Sequence, residues 1–222
     1  MLDKFLISLE SIREERRESI DNILSYFPET KIVDAINGKE LELSEHCEEY
    51  LATFGCLISH LSIFNHCIEN NISTALILED DILMSRHQME RLKKEFQDVD
   101  LKTFTWHSQP KKFLCAACYQ IKDTTMKKVL DNLDIILKNT ILYHVDRLIT
   151  NTISKNSLEF KISGVNLDQG SLQSSHTRSR SEQVKTSVVW ASPKKILESD
   201  LKTIRELIKK PLRILCELKD QN

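Results

Sequence analysis

Three carboxylates follow directly on a short apolar run in the sequence ALILEDD at positions 75–81. The run is typical of a strand covered on both faces, as in a parallel sheet between helices. Side chains alternate along a strand, so Glu79 and Asp81 are expected on one side and Asp80 on the other. Open α/β sheets bind ligands at the carboxyl ends of their strands, and carboxylate oxygens suit Mg²⁺ or Mn²⁺ holding a phosphate. The stretch predicts a metal and phosphate site, with a solvated acidic turn as the alternative.

A second candidate for chemistry is the CxxC pair formed by Cys115 and Cys118. This spacing occurs in redox and zinc sites, but no second CxxC accompanies it, so a four-cysteine zinc site is not supported. The surrounding FLCAACYQI is typical of a buried strand, in which positions i and i+3 face opposite ways. We therefore interpret both cysteines as buried structural residues and keep a thiol redox function as the alternative.

The composition is typical of one substantial globular domain. The chain has 222 residues, of which 41% are hydrophobic and 29% charged, with four glycines and four prolines. Its 31 basic and 33 acidic residues nearly cancel, which gives no argument for binding nucleic acid. We identify no signal peptide and no run near the roughly 18 apolar residues of a membrane span. We therefore expect a cytoplasmic protein whose six cysteines are free thiols.

The elements that must position these side chains follow an α/β pattern. A strand at 4–9, a helix from a capping box at Ser11 to about Tyr26, and a strand at 31–36 predict a strand–helix–strand unit. Helical patterns then cover 44–52 and 55–69 and precede the ALIL strand. Further predictions are helices at 86–96, from 123 or 124, and after 146, strands at 104–106, 113–121 and 158–162, and a loop at 164–183.

The end of the chain has a different character. Between 201 and 219, basic side chains accompany apolar residues at near-heptad spacing, interrupted by Pro211. Such a segment can lie on an anionic membrane surface. The alternative is a terminal helix packed on the domain, with a solvated charged face. We predict a domain of residues 1–190 followed by a basic amphipathic tail of residues 191–222.

Several motifs, in their order along residues 4–180, resemble glycosyltransferase family 25, the lipopolysaccharide and lipooligosaccharide transferases. GCLISH at 55–60, about twenty residues before LEDD, is similar to the family's Gly-Cys-x-x-Ser-His helix start. DAING at 34–38 resembles its Asp-Ala-x-Asp-Gly stretch, with Asn37 where Asp is usual. Similar stretches elsewhere are Ile7-Ser8-Leu9 with Arg16-Arg17, ACYQI at 117–121, HVD at 144–146, and QSSH at 173–176 with Arg178 and Arg180.

This resemblance implies a GT-A type fold, with a mixed central sheet flanked by helices. It also implies a nucleotide-sugar donor, usually UDP-galactose or another UDP-hexose, and inversion at the anomeric carbon. The implied acceptor is a lipid-linked oligosaccharide of bacterial lipopolysaccharide, and a divalent metal, Mn²⁺ or Mg²⁺, is expected at the acidic motif. Together with the basic tail, the resemblance suggests peripheral contact with the inner face of the inner membrane.

The resemblance also suggests roles for individual residues. Asp81 is the expected metal ligand, and Glu79 is expected as a second ligand or as a contact to a sugar hydroxyl. Asp80 is expected to contact the ribose of the donor or to hold the backbone turn. The general base that takes the acceptor's proton is expected to be Asp146 or His60. A helix cap and a hydrogen-bonded core histidine are the respective alternatives. The predicted donor-binding residues are Ser8, Arg16, Arg17, Asp80, Arg178 and Arg180. For the four arginines among them, the alternative is solvated surface charge.

Two further expectations complete this picture. Gly55 is expected to begin a helix whose amides face phosphate. An inactive relative that binds a nucleotide sugar or a partner protein is the second class of function. It is motivated by the missing glycine near 115–117, by His144 where proline is common, and by a short segment between 81 and 113.

Overall fold

The computed structural model describes residues 2–104, 106–107, 113–114, 116–134, 144–163 and 196–215. The strands are β1 (Asp3–Ser8), β2 (Lys31–Asp34), β3 (Thr74–Glu79), β4 (Leu101–Thr103), β5 (Trp106–His107), β6 (Phe113–Leu114), β7 (Cys118–Lys122), β8 (Phe160–Ile162) and β9 (Ile214–Leu215). The α-helices are α1 (Arg17–Tyr26), α2 (Leu51–Glu69), α3 (Arg86–Lys94), α4 (Asp123–Asp131), α5 (Val145–Asn156) and α6 (Glu198–Ile208). Short 3₁₀ turns cover Glu10–Ile12, Gly38–Glu40 and Glu45–Tyr50.

Seven of these strands form one mixed sheet in the order β8-β4-β7-β3-β1-β2-β9. β1 lies between β2 and β3 and runs parallel to both. β7 is antiparallel to its neighbours β3 and β4, and β9 is antiparallel to β2. β5 and β6 pair separately. The mixed α/β fold, with a mixed central sheet flanked by helices, is therefore confirmed.

The ALIL strand is buried on both faces, as its sequence predicts. Ala75 and Ile77 pack in a core with residues of α2, α4, α5 and α6. Leu76 and Leu78 pack in a second core with residues of α1 and α3. Each fully buried Leu or Ile side chain contributes about 1.5–3 kcal/mol to the stability of the fold. Apolar packing on both sides thus holds the start of the acidic motif rigidly.

The central helix α2 packs against the 3₁₀ turns at Gly38–Glu40 and Glu45–Tyr50 and against α4 and α6. It supplies much of the first core. By length and composition alone it is apolar enough to cross a membrane, which differs from the expectation that no run is long enough. Most of its length is buried within the fold. That burial is typical of a core helix, because the same apolar surface that suits lipid also suits a protein interior.

The first helix begins later than predicted. Glu10–Ile12 forms a 3₁₀ turn, and α1 starts at Arg17, so Ser11 does not cap a helix. Arg13 instead donates to the Ser8 carbonyl oxygen at 3.0 Å and to Asp34 Oδ1 at 2.7 Å. These bonds hold the connection against the strand ends, which explains why residues 10–16 do not continue as regular helix.

The C-terminal segment packs on the sheet and on α2. Leu201, Ile204 and Ile208 of α6 are buried in the first core, and β9 extends the sheet beyond β2. Among the alternatives for this segment, the structure shows the helix packed on the domain. The boundary between residues 190 and 191 stays a prediction.

Asp200 joins α6 to the turn before α2. Its Oδ1 accepts from the Ser44 backbone N–H at 2.9 Å, and its Oδ2 accepts from the Ser44 hydroxyl at 2.6 Å. Cys47 Sγ lies 3.6 Å from the same Oδ2. Burial alone raises the pKa of Asp200, but the hydrogen bonds from Ser44 and Cys47 outweigh burial and lower the pKa below its usual value.

Replacing Asp200 by alanine is expected to lower the free energy of unfolding by about 1–3 kcal/mol, because the partly buried Ser44 donors lose their acceptor. The wild-type contribution should be present above the ordinary pKa of an aspartate and disappear as pH falls through the lowered folded-state pKa. Denaturant unfolding at neutral and acid pH measures both effects. Glu206→Ala, an exposed acid on the same helix, is the control and should change stability by less than about 0.5 kcal/mol.

Candidate active site

A crevice is expected where the helices that connect the parallel strands leave the sheet on opposite faces. The helix after β1, α1, packs in the core on one face of the sheet, whereas α2, after β2, packs in the core on the other. Since β1 lies between β2 and β3, this divergence occurs at the carboxyl ends of β1 and β3. Open α/β sheets bind ligands at such a switch point. Ser8 and the acidic motif both lie at this edge.

The acidic motif is divided between strand and turn. β3 ends at Glu79, and Asp80 and Asp81 form the following turn. Strand alternation therefore does not extend to Asp81, and the expectation that Glu79 and Asp81 share one side stays a prediction. Glu79 contacts α2, as described below, and Asp80 contacts β1.

Asp80 is a buried carboxylate between β1 and the arginines that follow it, with a residue exposure of 8%. Burial raises its pKa, while a hydrogen bond from Ser8 and the charges of Arg16 and Arg13 act in the opposite direction. Its Oδ2 has no hydrogen-bond partner among the described residues. A buried carboxylate oxygen with this environment fits a role as a cation or donor ligand.

Two arginines hold the carboxylate at the end of β2. Arg13 Nη2 donates to Asp34 Oδ1 at 2.7 Å, and Arg213 Nη1 lies 3.0 Å from Asp34 Oδ2. Arg13 also contacts both the carbonyl and the hydroxyl of Ser8. The sequence did not predict these contacts. The motif-like pair Arg16-Arg17 gives no signal for Arg13, and Arg213 lies about 180 residues from Asp34 in the chain.

Glu79 belongs to a partly buried hydrogen-bonded group between β3, α2 and β7. His60 Nε2 lies 3.1 Å from Glu79 Oε1, and His60 Nδ1 lies 2.7 Å from Tyr119 Oη. Cys56 Sγ lies 3.9 Å from the same Glu79 oxygen. His60 and Tyr119 are 0% exposed, and burial raises the pKa of Tyr119 far above its usual value, which keeps it a neutral phenol.

The motif GCLISH fastens α2 to the connection after β2. Ser59 Oγ accepts from the Ile36 backbone N–H at 2.8 Å and donates to the Gly55 carbonyl at 2.7 Å. A Cβ at Gly55 would lie 2.7 Å from both Ile36 O and Gly38 N. Gly55 lies inside α2, which begins at Leu51, so the expectation that it begins a helix is wrong. Its role is close packing against residues 36–38.

Gly55→Ala is expected to lower the free energy of unfolding by about 1–3 kcal/mol, because the added methyl group meets backbone that cannot move freely. On an unhindered helix the same change would stabilise by about 0.5–1 kcal/mol. Ala52→Gly, one turn earlier at an exposed position, provides the control for intrinsic helix propensity. A variant at Gly55 that unfolds at a higher denaturant concentration than wild type would contradict the close approach.

The other predicted site residues occupy varied environments. Arg17 is half exposed and pairs with Glu14 and Asp21 on the helix surface, as expected for solvated charge. Asp146 lies in the first turn of α5, where its Oδ1 accepts from the Arg147 N–H at 2.8 Å. Arg178 and Arg180 lie outside the described residues, so the expected loop over the donor stays a prediction.

The cysteines of the CxxC pair are not both described. Cys118 is buried in the second core at the start of β7, in agreement with the structural interpretation, and it is a free thiol. Cys115 lies outside the described residues. The free thiols Cys47, Cys56 and Cys67 agree with the expectation of free cysteines as far as the chain is described.

Comparison with known proteins places this edge of the sheet in a family context. Residues 1–128, which include β1, β2, α2, β3 and β7, match the family model of glycosyltransferase family 25 (LPS biosynthesis protein). The chain belongs to glycosyltransferase family 25. The matched segment contains Ser8, Arg16, His60 and the acidic motif, so the residues that meet at the switch point are all within the family region.

Curated relatives of this family 25 chain include galactosyltransferases of animals. Procollagen galactosyltransferase 2 of Mus musculus is 24% identical, over 46% of this chain and 19% of that protein. Procollagen galactosyltransferase 1-B of Xenopus laevis is 28% identical, over 46% and 20%. The inactive glycosyltransferase 25 family member 3 of Mus musculus is 23% identical, also over 46% and 20%. The chain spans about a fifth of the length of the curated relatives it matches.

A solved structure shares the fold of the family 25 chain. It is a glycosyltransferase involved in the glycosylation of the major capsid of PBCV-1, with a TM-score of 0.50 and 11% sequence identity. The similarity covers 73% of this chain and 81% of that one. At this identity the likeness shows a common fold, in agreement with the predicted glycosyltransferase architecture.

Proposed function

We propose that this family 25 chain is an active hexosyltransferase, which moves galactose from a UDP-sugar to an oligosaccharide acceptor with inversion at the anomeric carbon. The observation that carries the proposal is the buried Asp80, which is hydrogen-bonded to Ser8 and stabilised by the charge of Arg16 at the switch point of the sheet. A carboxylate is costly to bury, and here it lies at the position where this fold class binds ligands. Family membership supplies the class of reaction.

The residues around this position have complementary tasks. Asp80 and Asp81 would hold Mn²⁺ or Mg²⁺, which supplies charge neutralisation at the leaving diphosphate when bound. Arg16 places a guanidinium charge beside Asp80, and Arg13 orients the Ser8 and Asp34 groups at the neighbouring strand ends. Glu79 has Oε1 engaged by His60, so we give Asp81 the larger share of metal binding and keep Glu79 as the predicted second ligand.

The proposal assigns the acceptor's proton to Asp146. An inverting transfer needs a base on the side opposite the leaving group, and Asp146 is partly exposed at the start of α5. His60, in contrast, is fully buried and hydrogen-bonded through both ring nitrogens. In this proposal His60 therefore orients Glu79. The predicted role of His60 as the general base would require contact with solvent or acceptor, which a fully buried side chain does not have.

For the acceptor we propose a lipid-linked oligosaccharide of lipopolysaccharide or lipooligosaccharide, in line with the family's description. The protein would then work in the cytoplasm at the inner face of the inner membrane. The apolar side of α6 is buried in the core, so membrane contact by the tail would rest on exposed cations such as Lys202, Lys209 and Lys210. Such contact would be electrostatic and weakened by salt.

The alternative is an inactive family member that binds a nucleotide sugar or a partner protein. It is favoured by one relative, the inactive glycosyltransferase 25 family member 3 of Mus musculus. Release of UDP from UDP-galactose distinguishes the two functions, when measured with lipooligosaccharide oligosaccharide, with procollagen and without acceptor. Acceptor-dependent release supports transfer and identifies the acceptor class. Binding of UDP-galactose with no release under any condition would support the inactive function.

A further inference from the structure

Three different metal-ligand atoms meet beside the acidic motif, on the side away from Asp80. Cys56 and His60 are one turn apart on α2, so they face the same way, and Glu79 ends β3. His60 Nε2 and Cys56 Sγ lie 3.1 Å and 3.9 Å from the same atom, Glu79 Oε1. All three ligand atoms lie within 4.8 Å of one another. Two hydrogen-bond donors thus converge on one carboxylate oxygen.

The two separations that involve Glu79 Oε1 are close to those in a tetrahedral zinc site. With bonds of about 2.0 Å to nitrogen and oxygen and about 2.3 Å to sulfur, such an ion holds its ligand atoms about 3.3–3.6 Å apart. The separations of 3.1 Å and 3.9 Å lie to either side of that range, each within about 0.4 Å of it. Cys56 and Glu79 are partly exposed, so small side-chain movements can admit an ion between them.

The chemistry of the three donors also selects the metal. A thiolate and an imidazole favour zinc over Mg²⁺ and Mn²⁺, which prefer oxygen ligands alone. Three protein ligands also leave the fourth tetrahedral position to a water molecule, as in zinc sites that are open to solvent. The group is therefore chemically distinct from the carboxylates Asp80 and Asp81 in the neighbouring turn.

Tyr119 provides the outer contact that such a site requires. Its hydroxyl lies 2.7 Å from His60 Nδ1, and the two rings are stacked with centroids 5.7 Å apart. A zinc-bound histidine donates its other N–H to an oxygen, which fixes the ring. When Nε2 binds metal, the ring N–H is at Nδ1 and donates to Tyr119 Oη. The Cys56 thiol releases its proton to water, so one proton leaves for each ion bound.

We propose that Cys56, His60 and Glu79 form a zinc-binding site, with Tyr119 as the outer partner of His60. This site ties α2 to the end of β3 and lies beside the turn that carries Asp80 and Asp81. When zinc is bound here, Glu79 belongs to this site and the cation of the sugar donor is left to Asp80 and Asp81. The zinc site needs no nucleotide, so its test uses the metal alone. Failure of that test would leave the transfer reaction open, and failure of nucleotide binding would leave the zinc site open.

The experiment is a titration of the purified full-length chain with Co²⁺, which gives a cobalt–thiolate absorption band, followed by displacement with Zn²⁺. We expect one equivalent of cobalt, and the loss of the band in Cys56→Ser. Cys47→Ser removes a different buried thiol that also lies beside a carboxylate, and should keep the band. Tyr119→Phe should retain the band but weaken zinc binding by about 10–100-fold.

A second readout distinguishes the loss of metal binding from the loss of the fold in these variants. Zn²⁺ should raise the unfolding midpoint of wild type and Cys47→Ser, because it binds the native state, but not the midpoints of Cys56→Ser and Glu79→Gln. Circular dichroism of each variant without metal establishes that the fold is kept. The absence of a cobalt–thiolate band in wild type, or a band of equal strength in Cys56→Ser, would overturn the proposal.

Discussion

Asp81→Asn is expected to reduce sugar transfer by at least about 100-fold, which corresponds to about 2.7 kcal/mol of transition-state stabilisation. The amide keeps the shape of the side chain but removes the negative charge that would hold a divalent cation beside the diphosphate. Asp81 lies in the turn after β3 and not in either apolar core. The free energy of unfolding should therefore change by less than about 0.5 kcal/mol.

The measurement is UDP release at saturating Mn²⁺, together with denaturant unfolding of the same samples. Asp98→Asn changes a highly exposed aspartate on the loop after α3 and is the matched control, with wild-type activity expected. Transfer at the wild-type rate by the Asp81 variant would remove the metal role from this residue. A large loss of stability would instead show that Asp81 supports the turn.

Arg16→Met is expected to lower the free energy of unfolding at neutral pH by about 1–3 kcal/mol, because it removes a buried positive charge that stabilises the Asp80 carboxylate. Arg16 and Asp80 are exposed by only 5% and 8%. Of the two arginine charges that stabilise the Asp80 carboxylate, Arg16 has the larger influence. Methionine fills a similar volume, so the loss would report charge more than packing.

The pH dependence of this loss follows from the sign of the shift. Burial raises the pKa of Asp80 in the folded protein, and removal of Arg16 should raise it further. A carboxyl whose pKa is higher in the folded state binds more protons there, so stability increases as pH falls. The destabilisation by Arg16→Met should therefore be larger at pH 7 than near pH 5, as measured by denaturant unfolding.

Arg17→Met is the control for Arg16, since the two arginines are adjacent in sequence. Arg17 has a side-chain exposure of 40%, and among the described residues it forms surface ion pairs at 3.6 Å with Glu14 and 3.5 Å with Asp21. Surface pairs of this kind contribute about 0–1 kcal/mol. Equal losses for the two variants, without pH dependence, would contradict the assignment of Arg16 to the buried Asp80 carboxylate.

The sequence predicted correctly those elements whose local apolar pattern matches their burial in the fold. The ALIL run is buried on both faces, and the first strand–helix–strand unit has the predicted parallel pairing. Apolar periodicity was sufficient for these elements, whereas the predicted helix cap at Ser11 was wrong. The acidic motif was correctly placed at the end of a core strand, but Glu79 and Asp80 occupy different environments, one beside His60 and the other beside Ser8.

The remaining contacts join residues that no local pattern connects. Tyr119 reaches His60 because β7 is antiparallel to β3 and presents its side chain to α2. Asp200 joins Ser44 across 156 positions, and Arg213 reaches Asp34 because β9 pairs with β2. Such pairings depend on the arrangement of the whole sheet. A single sequence, read by periodicity and spacing, carries no direct signal for them.

The central claim is that the switch point between β1 and β3 binds the nucleotide of a sugar donor with the help of a divalent cation. Calorimetric titration of UDP into the full-length chain, with and without Mn²⁺, tests it directly in wild type and in Asp81→Asn. We predict binding that depends on Mn²⁺ and that the Asp81 variant loses. No binding of UDP by wild type in either condition, or equal binding by the variant, would contradict the claim.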